Sequence, residues 1–373
     1  MSGKFFNKPA SELRILVAPL DWGIGHATRC IPIIYALQAA GAQVILAGDG
    51  NSEIILKKEF SSLPFLHLKG YNVRYSRQKR WFLLKLLSQF PRIKRTIQYE
   101  QHWLKKVVAE HKIDGIISDN RFGLSHNLIP SIYITHQLNI QTGNSLLTRL
   151  AQKIHYSYIN RFTECWVPDA EGSINLGGLL SHPHKMPLVP VRYIGVLSRF
   201  SKTSCVKSNP FLVLLSGPEP QRSIFEEQVT RQLKKFSKTA ILVRGLPSES
   251  AQLDTGPSVS VINYASGKEL NDLILRSELV LCRAGYSTVM DLAVLQQKAI
   301  LIPTPGQTEQ EYLAASLHEK QQFFSCLQQN FNLESAFSGA GRFYNNAPVP
   351  VIRFEDDFIR EWLQNVGRLQ EVP

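Results

Sequence analysis

The stretch CRAGYSTVMDLAVLQQKAILIPTPGQTEQ, from Cys282 to Gln310, constrains the fold more than any other part of the sequence. It predicts a short apolar strand, a turn at Gly285, a helix, a second strand and a polar loop. Thr288 and Asp291 have the Ser/Thr-x-x-acid spacing of a helix start. The first N–H groups of a helix are unpaired and lie at the positive end of its dipole, so the turn predicts binding of an anion such as a diphosphate.

The same alternation of strand and helix occupies both halves of the chain. A β-α-β pattern opens the sequence between Arg14 and Ala47, and a polar segment, Ser198–Pro210, precedes a second series. The strands are apolar runs without strict alternation, as in parallel sheets covered on both faces. The sequence therefore predicts an α/β fold of two Rossmann-like doubly wound domains facing across a cleft. The predicted boundaries are 1–197, 209–352 and 353–373, the last being a helix that packs back on the N-terminal domain.

Composition limits the class of protein. There are 42 Lys and Arg against 30 Asp and Glu, and the net charge of +12 favours an anionic partner. Five cysteines form no CxxC pair, which predicts a reducing, cytoplasmic setting without disulfides or a zinc site. The first dozen residues lack the apolar core of a signal peptide, and no apolar run reaches about 18 residues. Any membrane contact is therefore expected to be peripheral.

One segment suits such a contact. Residues 74–95 contain eight Lys or Arg, no acid, and the apolar cluster WFLLKLL. A segment of this kind can lie in a membrane interface with its cations on lipid phosphates. A solvated helix face and a polyanion site are the alternatives.

A glycine-rich turn follows the first strand and contains Gly23, Gly25 and His26. This is the crevice position at which doubly wound sheets bind ligands. The dinucleotide motif is incomplete because Thr28 stands in place of a third glycine, although Asp49 ends the second strand where a ribose-binding acid would lie. His26 is instead a candidate general base, since neutral imidazole can accept a proton near neutral pH. A histidine that only caps or packs the turn is the alternative.

Asp119 ends the apolar run GIIS and should emerge at the same sheet edge as His26. An aspartate there could hold the imidazole tautomer and stabilise the imidazolium, as in a catalytic dyad. A local turn made by the aspartate is an equally good interpretation.

The second half supplies candidate donor-binding residues. SGPEPQR follows a buried strand, and its turn converges with RAGYST if the two strands are neighbours. The polar loop TPGQTEQ adds groups that can discriminate sugar hydroxyls. The candidates are Ser216, Gly217, Arg222, Arg283, Gly285, Tyr286, Ser287, Thr288, Asp291, Gln307, Glu309 and Gln310.

The sequence lacks the motifs of several other enzyme classes. No D-x-D occurs, and His182 and His184 are too sparse for a metal site, so no metal and no tightly bound cofactor are expected. The sequence has neither a Walker loop nor G-x-S-x-G, which argues against P-loop and serine hydrolase chemistry.

Taken together, these motifs resemble those of GT-B glycosyltransferases, most closely family 28 (MurG-like). CRAGYSTVMDLA is similar to the family's C-R-S-G-x-x-T-x-x-E-x-A, and PTPGQTEQEY to the loop ending in Q-Q-Y. The resemblance implies that Asp291 binds the uridine ribose and Gln310 the sugar. THQLN resembles the H-E-Q-N segment, and GIGH stands in place of the glycine-rich acceptor loop. The implied acceptor-binding residues are Gly23, Gly25, His136, Gln137 and Asn139.

The resemblance implies an inverting, metal-independent transferase. The C-terminal domain would hold a UDP-sugar as co-substrate, and the N-terminal domain would hold a hydroxyl acceptor, lipid-linked or of the cell envelope, at the inner face of the membrane. His26 and Asp119 are similar to the His and Asp pair of plant and macrolide UDP-sugar transferases. An epimerase of the UDP-N-acetylglucosamine type and a non-catalytic UDP-sugar sensor or adaptor are the alternatives; no nucleic-acid partner is expected.

Overall fold

The structure is a computed structural model that describes residues 8–21, 23–71, 82–141, 145–246, 253–344 and 349–368, without the side chains of residues 82–90 and 145. The chain divides into two compact units. The first contains the described residues of Met1–Arg74, Leu84–Leu197 and Ile352–Pro373, and the second contains those of Tyr75–Leu83 and Ser198–Val351.

The first unit is built on a seven-stranded sheet in the order β3-β2-β1-β4-β5-β6-β7, and all its strand pairs are parallel. Most residues of the sheet are buried, because helices cover both of its faces. The strands are β1 (Arg14–Pro19), β2 (Gln43–Gly48), β3 (Phe65–His67), β4 (Gly115–Asp119), β5 (Ser131–Ile134), β6 (Glu164–Val167) and β7 (Val191–Tyr193). The helices are α1 (Gly25–Ala39), α2 (Gly50–Glu59), α3 (Phe82–His111) and α4 (Ser145–Ile159).

A helix from the C-terminal end of the chain belongs to this first unit. This helix, α10 (Asp356–Arg368), buries an apolar stripe of Ile359, Trp362, Leu363 and Val366. Its Trp362 packs edge-on against Trp166 of β6, with ring centroids 5.4 Å apart. Burying such side chains contributes roughly 1.5–3 kcal/mol each, so α10 is part of the core of the unit.

The second unit repeats the design with six strands in the order β10-β9-β8-β11-β12-β13, again all parallel. Its strands are β8 (Asn209–Leu214), β9 (Ala240–Val243), β10 (Val259–Ile262), β11 (Ser277–Arg283), β12 (Ala299–Ile302) and β13 (Phe324–Ser325). Its helices are α5 (Gln221–Leu233), α6 (Gly267–Arg276), α7 (Tyr286–Leu295), α8 (Thr308–Glu319) and α9 (Leu333–Phe343). The predicted pair of Rossmann-like sheets is confirmed.

The predicted start of one helix is wrong. Thr288 and Asp291 do not form a capping box, because α7 already begins at Tyr286, with Gly285 as an N-cap in extended conformation and no side-chain cap. A capping box occurs instead at the start of α6, between Ser266 and Glu269. Among the described residues, no helix combines the length and apolar character needed to span a membrane.

Candidate active site

The predicted base lies where the strand order of the first sheet reverses. Strands β1 and β4 are neighbours, and Pro19 pairs with Asp119 at their carboxyl ends. His26 is the second residue of α1, the helix that follows β1. Chain connections leave β1 and β4 in opposite directions at this point and open a crevice between them. The topology therefore brings two residues 93 positions apart to one edge.

His26 and Asp119 are in direct contact. Nδ1 of His26 lies 2.9 Å from Oδ1 of Asp119, whose side chain is fully buried. If Nδ1 carries the hydrogen, it donates to the carboxylate and leaves the lone pair on Nε2. This is the arrangement that a general base requires.

The sequence analysis missed the third member of this site, Arg29. Its Nε and Nη2 both donate to the carboxylate of Asp119. Nη2 also lies 2.9 Å from Nδ1 of His26, and Nη1 lies 3.0 Å from Nδ1 of His136. The only signal in the sequence is that Arg29 follows His26 by three residues, which places both on one face of a helix.

Burial and the neighbouring charges set the protonation of this cluster. Burial alone would raise the pKa of Asp119, but Arg29 and His26 hold it well below its usual range. Burial lowers the pKa of His26 from 6.5; Asp119 opposes this effect and Arg29 adds to it. His26 is therefore neutral at physiological pH and able to accept a proton. Burial, followed by the charge of Asp119, raises the pKa of the Cys30 thiol, so that neighbour is also neutral.

The other predicted acceptor residues occupy two places in the first unit. Gly23 is exposed in the turn before α1 with φ of +80°, a conformation that favours glycine, and Gly25 begins the helix. His136 is buried beside Arg29, closer to the predicted base than the sequence indicated. Gln137 and Asn139 follow it in a loop whose backbone bonds to Thr135 Oγ1 and the Leu180 carbonyl.

The second sheet has its own reversal point between β8 and β11. These strands are neighbours, and Leu214 pairs with Cys282 near their carboxyl ends. The turns that contain Ser216–Gly217 and Gly285 therefore follow adjacent strands at one edge, as the sequence predicted. No side chain caps the N-terminus of α7 above Gly285. A helix start of this kind can receive a phosphate on its backbone N–H groups, with Tyr286, Ser287 and Thr288 forming its first turn.

Both arginines named as donor-binding candidates have hydrogen-bond partners within the second unit. Arg222 is buried, and its guanidinium donates to Glu219 at 2.6 Å and to Glu226 at 3.3 Å. Arg283 is also buried; it stacks over Phe225 and donates to Gln328 Oε1 at 2.7 Å. Acid and amide groups of the second unit therefore already hold both guanidinium groups, and direct contact with a ligand phosphate stays a prediction.

Arg283 supports the turns of the donor edge indirectly. Its Nη2 donates to the backbone carbonyl of Gln221 at 3.0 Å, which ties the end of β11 to the start of α5. Burial lowers the pKa of Arg283 to about 10, so it stays charged at neutral pH. At the start of α5, Glu219 accepts a hydrogen bond from the Ser223 N–H. This helix start therefore already holds an anionic group.

Asp291 lies inside α7, where it accepts a hydrogen bond from Ser198 Oγ at 2.5 Å. Burial raises its pKa to about 6, although Ser198 and Arg199 act in the opposite direction. A half-buried carboxylate that already holds a hydroxyl group can exchange this partner for a hydroxyl of a ligand.

The polar loop after β12 is held by the helix that follows it. Gln310 Oε1 accepts from the Thr304 N–H at 2.9 Å, and Glu311 Oε1 accepts from the Gly306 N–H at 3.0 Å. Gln307 is the N-cap residue of α8, and Glu309 lies in its first turn. Gln310 thus shapes the loop with one end of its amide and keeps Nε2 as a donor.

One group of side chains in the described residues could offer metal ligands. Asp49, Glu53 and His67 have ligand atoms within 4.8 Å of one another. Glu53 pairs with Lys57 at 2.6 Å, and Asp49 caps α2 through the Gly50 N–H. Asp49 therefore has a local structural role, in place of the ribose contact that its position in the sequence suggested.

The predicted membrane segment lies largely outside the described residues. This applies to residues 74–81 and to the side chains of residues 82–90. Arg92, Lys94 and Arg95, at its end, are exposed on α3.

Comparisons with known proteins agree with this architecture. Residues 221–342 match the family described as "Glycosyltransferase family 28 C-terminal domain". The chain is 23% identical over 292 residues to the UDP-N-acetylglucosamine--N-acetylmuramyl-(pentapeptide) pyrophosphoryl-undecaprenol N-acetylglucosamine transferase of Clostridium tetani (strain Massachusetts / E88), with 75% of each chain covered.

Two solved structures share the fold. The glycotransferase of kitacinnamycin has a TM-score of 0.62 and 13% identity, over 95% of this chain and 94% of that one. MurG of Acinetobacter baumannii has a TM-score of 0.53 and 13% identity, over 95% of this chain and 93% of that one. The predicted GT-B fold and the resemblance to family 28 are confirmed.

Proposed function

We propose that this GT-B protein, whose second unit matches glycosyltransferase family 28, moves a hexose or N-acetylhexosamine from a UDP-sugar to a hydroxyl of a lipid-linked acceptor. The sequence similarity to the Clostridium tetani transferase, which extends through both units, supports a UDP-sugar donor and a lipid-linked acceptor. In this reaction the second unit binds the donor, and the first unit supplies the base.

The observation that carries the proposal is the contact between His26 Nδ1 and Asp119 Oδ1 at 2.9 Å. A protein that only senses a UDP-sugar has no need of a neutral imidazole oriented by a buried carboxylate. An enzyme that activates a hydroxyl group does need one.

The chemistry follows from these groups. Nε2 of His26 takes the proton of the acceptor hydroxyl while its oxygen forms a bond to the anomeric carbon. The bond from that carbon to the diphosphate oxygen breaks, and its electron pair leaves with UDP. Attack from the opposite face inverts the configuration of the sugar. Charge that develops on UDP is stabilised by the backbone N–H groups at the start of α7, aided by the turn at Ser216–Gly217.

Asp291 is the proposed partner of the ribose. Its carboxylate would release the Ser198 hydroxyl and accept from a ribose hydroxyl instead. Gln307, Glu309 and Gln310, at the start of α8, are placed on the loop that would contact the transferred sugar.

The proposal includes a peripheral contact of the protein with the cytoplasmic face of a membrane. Besides residues 74–95, the exposed side of α4 combines Leu146 and Leu150 with Arg149 and Lys153. Leucines beside basic side chains on one helix suit an anionic lipid surface. A surface of this kind would bring the enzyme to an acceptor that stays in the membrane.

The test begins with the donor. A calorimetric screen of UDP, GDP, dTDP and NAD should show UDP as the tightest ligand. The protein is then incubated with labelled UDP-N-acetylglucosamine or UDP-glucose and a bacterial lipid extract, and labelled lipid is measured. His26→Ala should lower the rate by about 10²- to 10⁴-fold, the usual contribution of a general base, without changing the affinity for UDP.

A matched control is His67→Ala, which removes an exposed histidine of the same unit and should retain activity. A new sugar formed from UDP-N-acetylglucosamine without lipid would show an epimerase. Tight UDP binding without transfer to any lipid fraction would show a sensor. Either result would overturn the proposed transfer.

A further inference from the structure

Arg29 contacts three polar side chains of the candidate active site in the first unit. It is 2% exposed, and its guanidinium contacts Asp119 through two nitrogens, His26 through one and His136 through one. The two histidines come from different elements, since His26 is on α1 and His136 follows β5. A single side chain thus constrains both rings.

The chemistry of the guanidinium limits which nitrogen of each ring carries hydrogen. Arginine has five N–H donors and no acceptor, so a histidine nitrogen that bonds to it must present a lone pair. Nδ1 of His136 faces Arg29 Nη1 at 3.0 Å and is therefore the acceptor, which leaves its hydrogen on Nε2. An ionised carboxylate has the opposite property, because it only accepts.

His26 lies near both a hydrogen-bond donor and a hydrogen-bond acceptor. Its Nδ1 lies 2.9 Å from Asp119 Oδ1 and 2.9 Å from Arg29 Nη2. Arg29 already directs Nε and Nη2 at the carboxylate of Asp119, so the two charged groups are paired with each other. Asp119 then remains the acceptor available to a hydrogen on His26 Nδ1.

We propose that Arg29 is a positioning residue that gives the two histidines opposite tautomers, with the hydrogen on Nδ1 in His26 and on Nε2 in His136. The first ring then offers a lone pair at Nε2, while the second offers an N–H donor at the same atom. This inference rests on the proposed function in one respect, namely that His26 is the base. It adds that Arg29 sets which nitrogen of His136 donates and which accepts.

Burial is the main cause that lowers the pKa of His26, and Arg29 acts in the same direction. The groups that face His26 are Asp119 from β4, Arg29 from α1 and His136 from the loop after β5, and Cys30 of α1 lies 3.7 Å from Asp119 Oδ2. Of these, Asp119 favours the imidazolium, whereas Arg29 and His136 oppose it. Because Arg29 neutralises the one group that favours protonation, its removal should raise the pKa of His26.

Nuclear magnetic resonance on the full chain tests this directly. The protein is labelled with ¹⁵N in its histidines, and long-range ¹H–¹⁵N spectra distinguish protonated from unprotonated ring nitrogens. His26→Gln and His136→Gln assign the two rings. In the wild type we expect hydrogen on Nδ1 of His26 and on Nε2 of His136. Hydrogen on Nδ1 of His136, or on Nε2 of His26, would overturn the proposal without any change to Arg29.

Variants of Arg29 provide the second measurement. Arg29→Gln should raise the pKa of His26 by about one unit or more, since a nearby like charge is lost. Arg29→Lys keeps the charge, so the pKa should stay close to that of the wild type, while the tautomer of His136 becomes mixed. Arg95→Gln, which removes an exposed arginine of α3, is the control and should change neither. An unchanged His26 pKa in folded Arg29→Gln would contradict the electrostatic role.

These spectra need no substrate, so the two proposals can fail separately. A protein with the expected tautomers and no transferase activity would overturn the proposed function alone. An active transferase with the same tautomer in both rings would overturn this inference alone.

Discussion

The two sheets have the same strand order at their reversal points, but different groups occupy the carboxyl edges. In the first sheet, charged side chains meet one another, as in the contacts among His26, Arg29 and Asp119. In the second sheet, the charged side chains point into the scaffold, and a helix start without a side-chain cap remains at the edge. Side chains at the first edge can move a proton, whereas backbone N–H groups at the second can bind an anion.

On the proposed function, one topology serves two purposes. Proton transfer needs a group whose pKa is set by its neighbours, so the first edge accumulates buried charges. Anion binding needs donors that do not move, and a helix start supplies them without any charged side chain. The arginines near the carboxyl edge of the second sheet then stabilise the fold of this unit, since Arg283 joins β11 to the start of α5.

The largest expected effect concerns the buried charges of the first edge. Arg29→Met should lower the free energy of unfolding by about 3–5 kcal/mol, because it leaves the carboxylate of Asp119 buried without its main partner. Urea denaturation at pH 7 measures this. Arg29→Met combined with Asp119→Asn should recover part of the loss, since the unpaired charge is then gone. A double variant as unstable as the single one would mean that packing, and not charge, is what Arg29 provides.

An intermediate effect is expected at Asp291, the proposed ribose-binding carboxyl group of the second unit. Asp291→Asn should weaken UDP binding by about 1.5–3 kcal/mol, the range for hydrogen bonds to charged groups. Wild-type affinity should also fall as the pH drops through about 6, because protonation removes the carboxylate. The variant should lose this contribution and keep only the pH dependence that comes from the terminal phosphate of UDP, whose second pKa is also about 6. Calorimetry between pH 5 and pH 8 measures both.

The pKa shift of Asp291 also affects stability. A rise in pH strengthens UDP binding but lowers the free energy of unfolding. The pKa of Asp291 is raised from 3.8 to about 6 on folding, so the folded state holds more protons between these values. The free energy of unfolding of the wild type therefore falls as the pH rises through this window. Asp291→Asn should become more stable relative to the wild type by about 2–3 kcal/mol between pH 4 and pH 7. A stability difference that is independent of pH would show that the carboxyl group is not desolvated.

The smallest effect distinguishes the two glycine turns of the donor edge. Gly217 has φ of +105°, so Gly217→Ala should cost about 1–2 kcal/mol of stability. Gly285 has φ of −76°, and an added Cβ would meet only Thr288 Oγ1 at 3.9 Å, so Gly285→Ala should change stability by less than about 0.5 kcal/mol. The methyl group that Gly285→Ala introduces should instead weaken UDP binding. Thermal denaturation measures the stability of the two variants, and calorimetry measures their affinity for UDP. Equal UDP affinity in wild type and Gly285→Ala would show that no phosphate approaches this turn.

The sequence predicted strands better than it predicted side-chain partners. Apolar runs identify buried parallel strands, and the polar residues that end them must lie at one edge, which is why His26 and Asp119 could be paired. Arg29 could not be found in this way, because its contacts depend on how α1 packs on β4. The spacing of Thr288 and Asp291 was misleading because Gly285, in extended conformation, starts α7 two residues earlier than Thr288.

Charged residues at turns were the least predictable. Arg222 has Glu219 and Glu226 as hydrogen-bond partners, and a sequence pattern gives no means to predict such neighbours. The partner of Asp291, Ser198, lies 93 residues earlier in the chain. Such pairings are decided by tertiary packing and not by local pattern.

The position of α10 has a consequence for biosynthesis. Trp166 is fully buried, and its ring is covered in part by Phe358 and Trp362 of that helix. During translation, the ribosome must therefore make the whole second unit before the first can close its core. A nascent chain that has just passed Leu197 would still expose this tryptophan, and would be a substrate for chaperones until the final turns emerge.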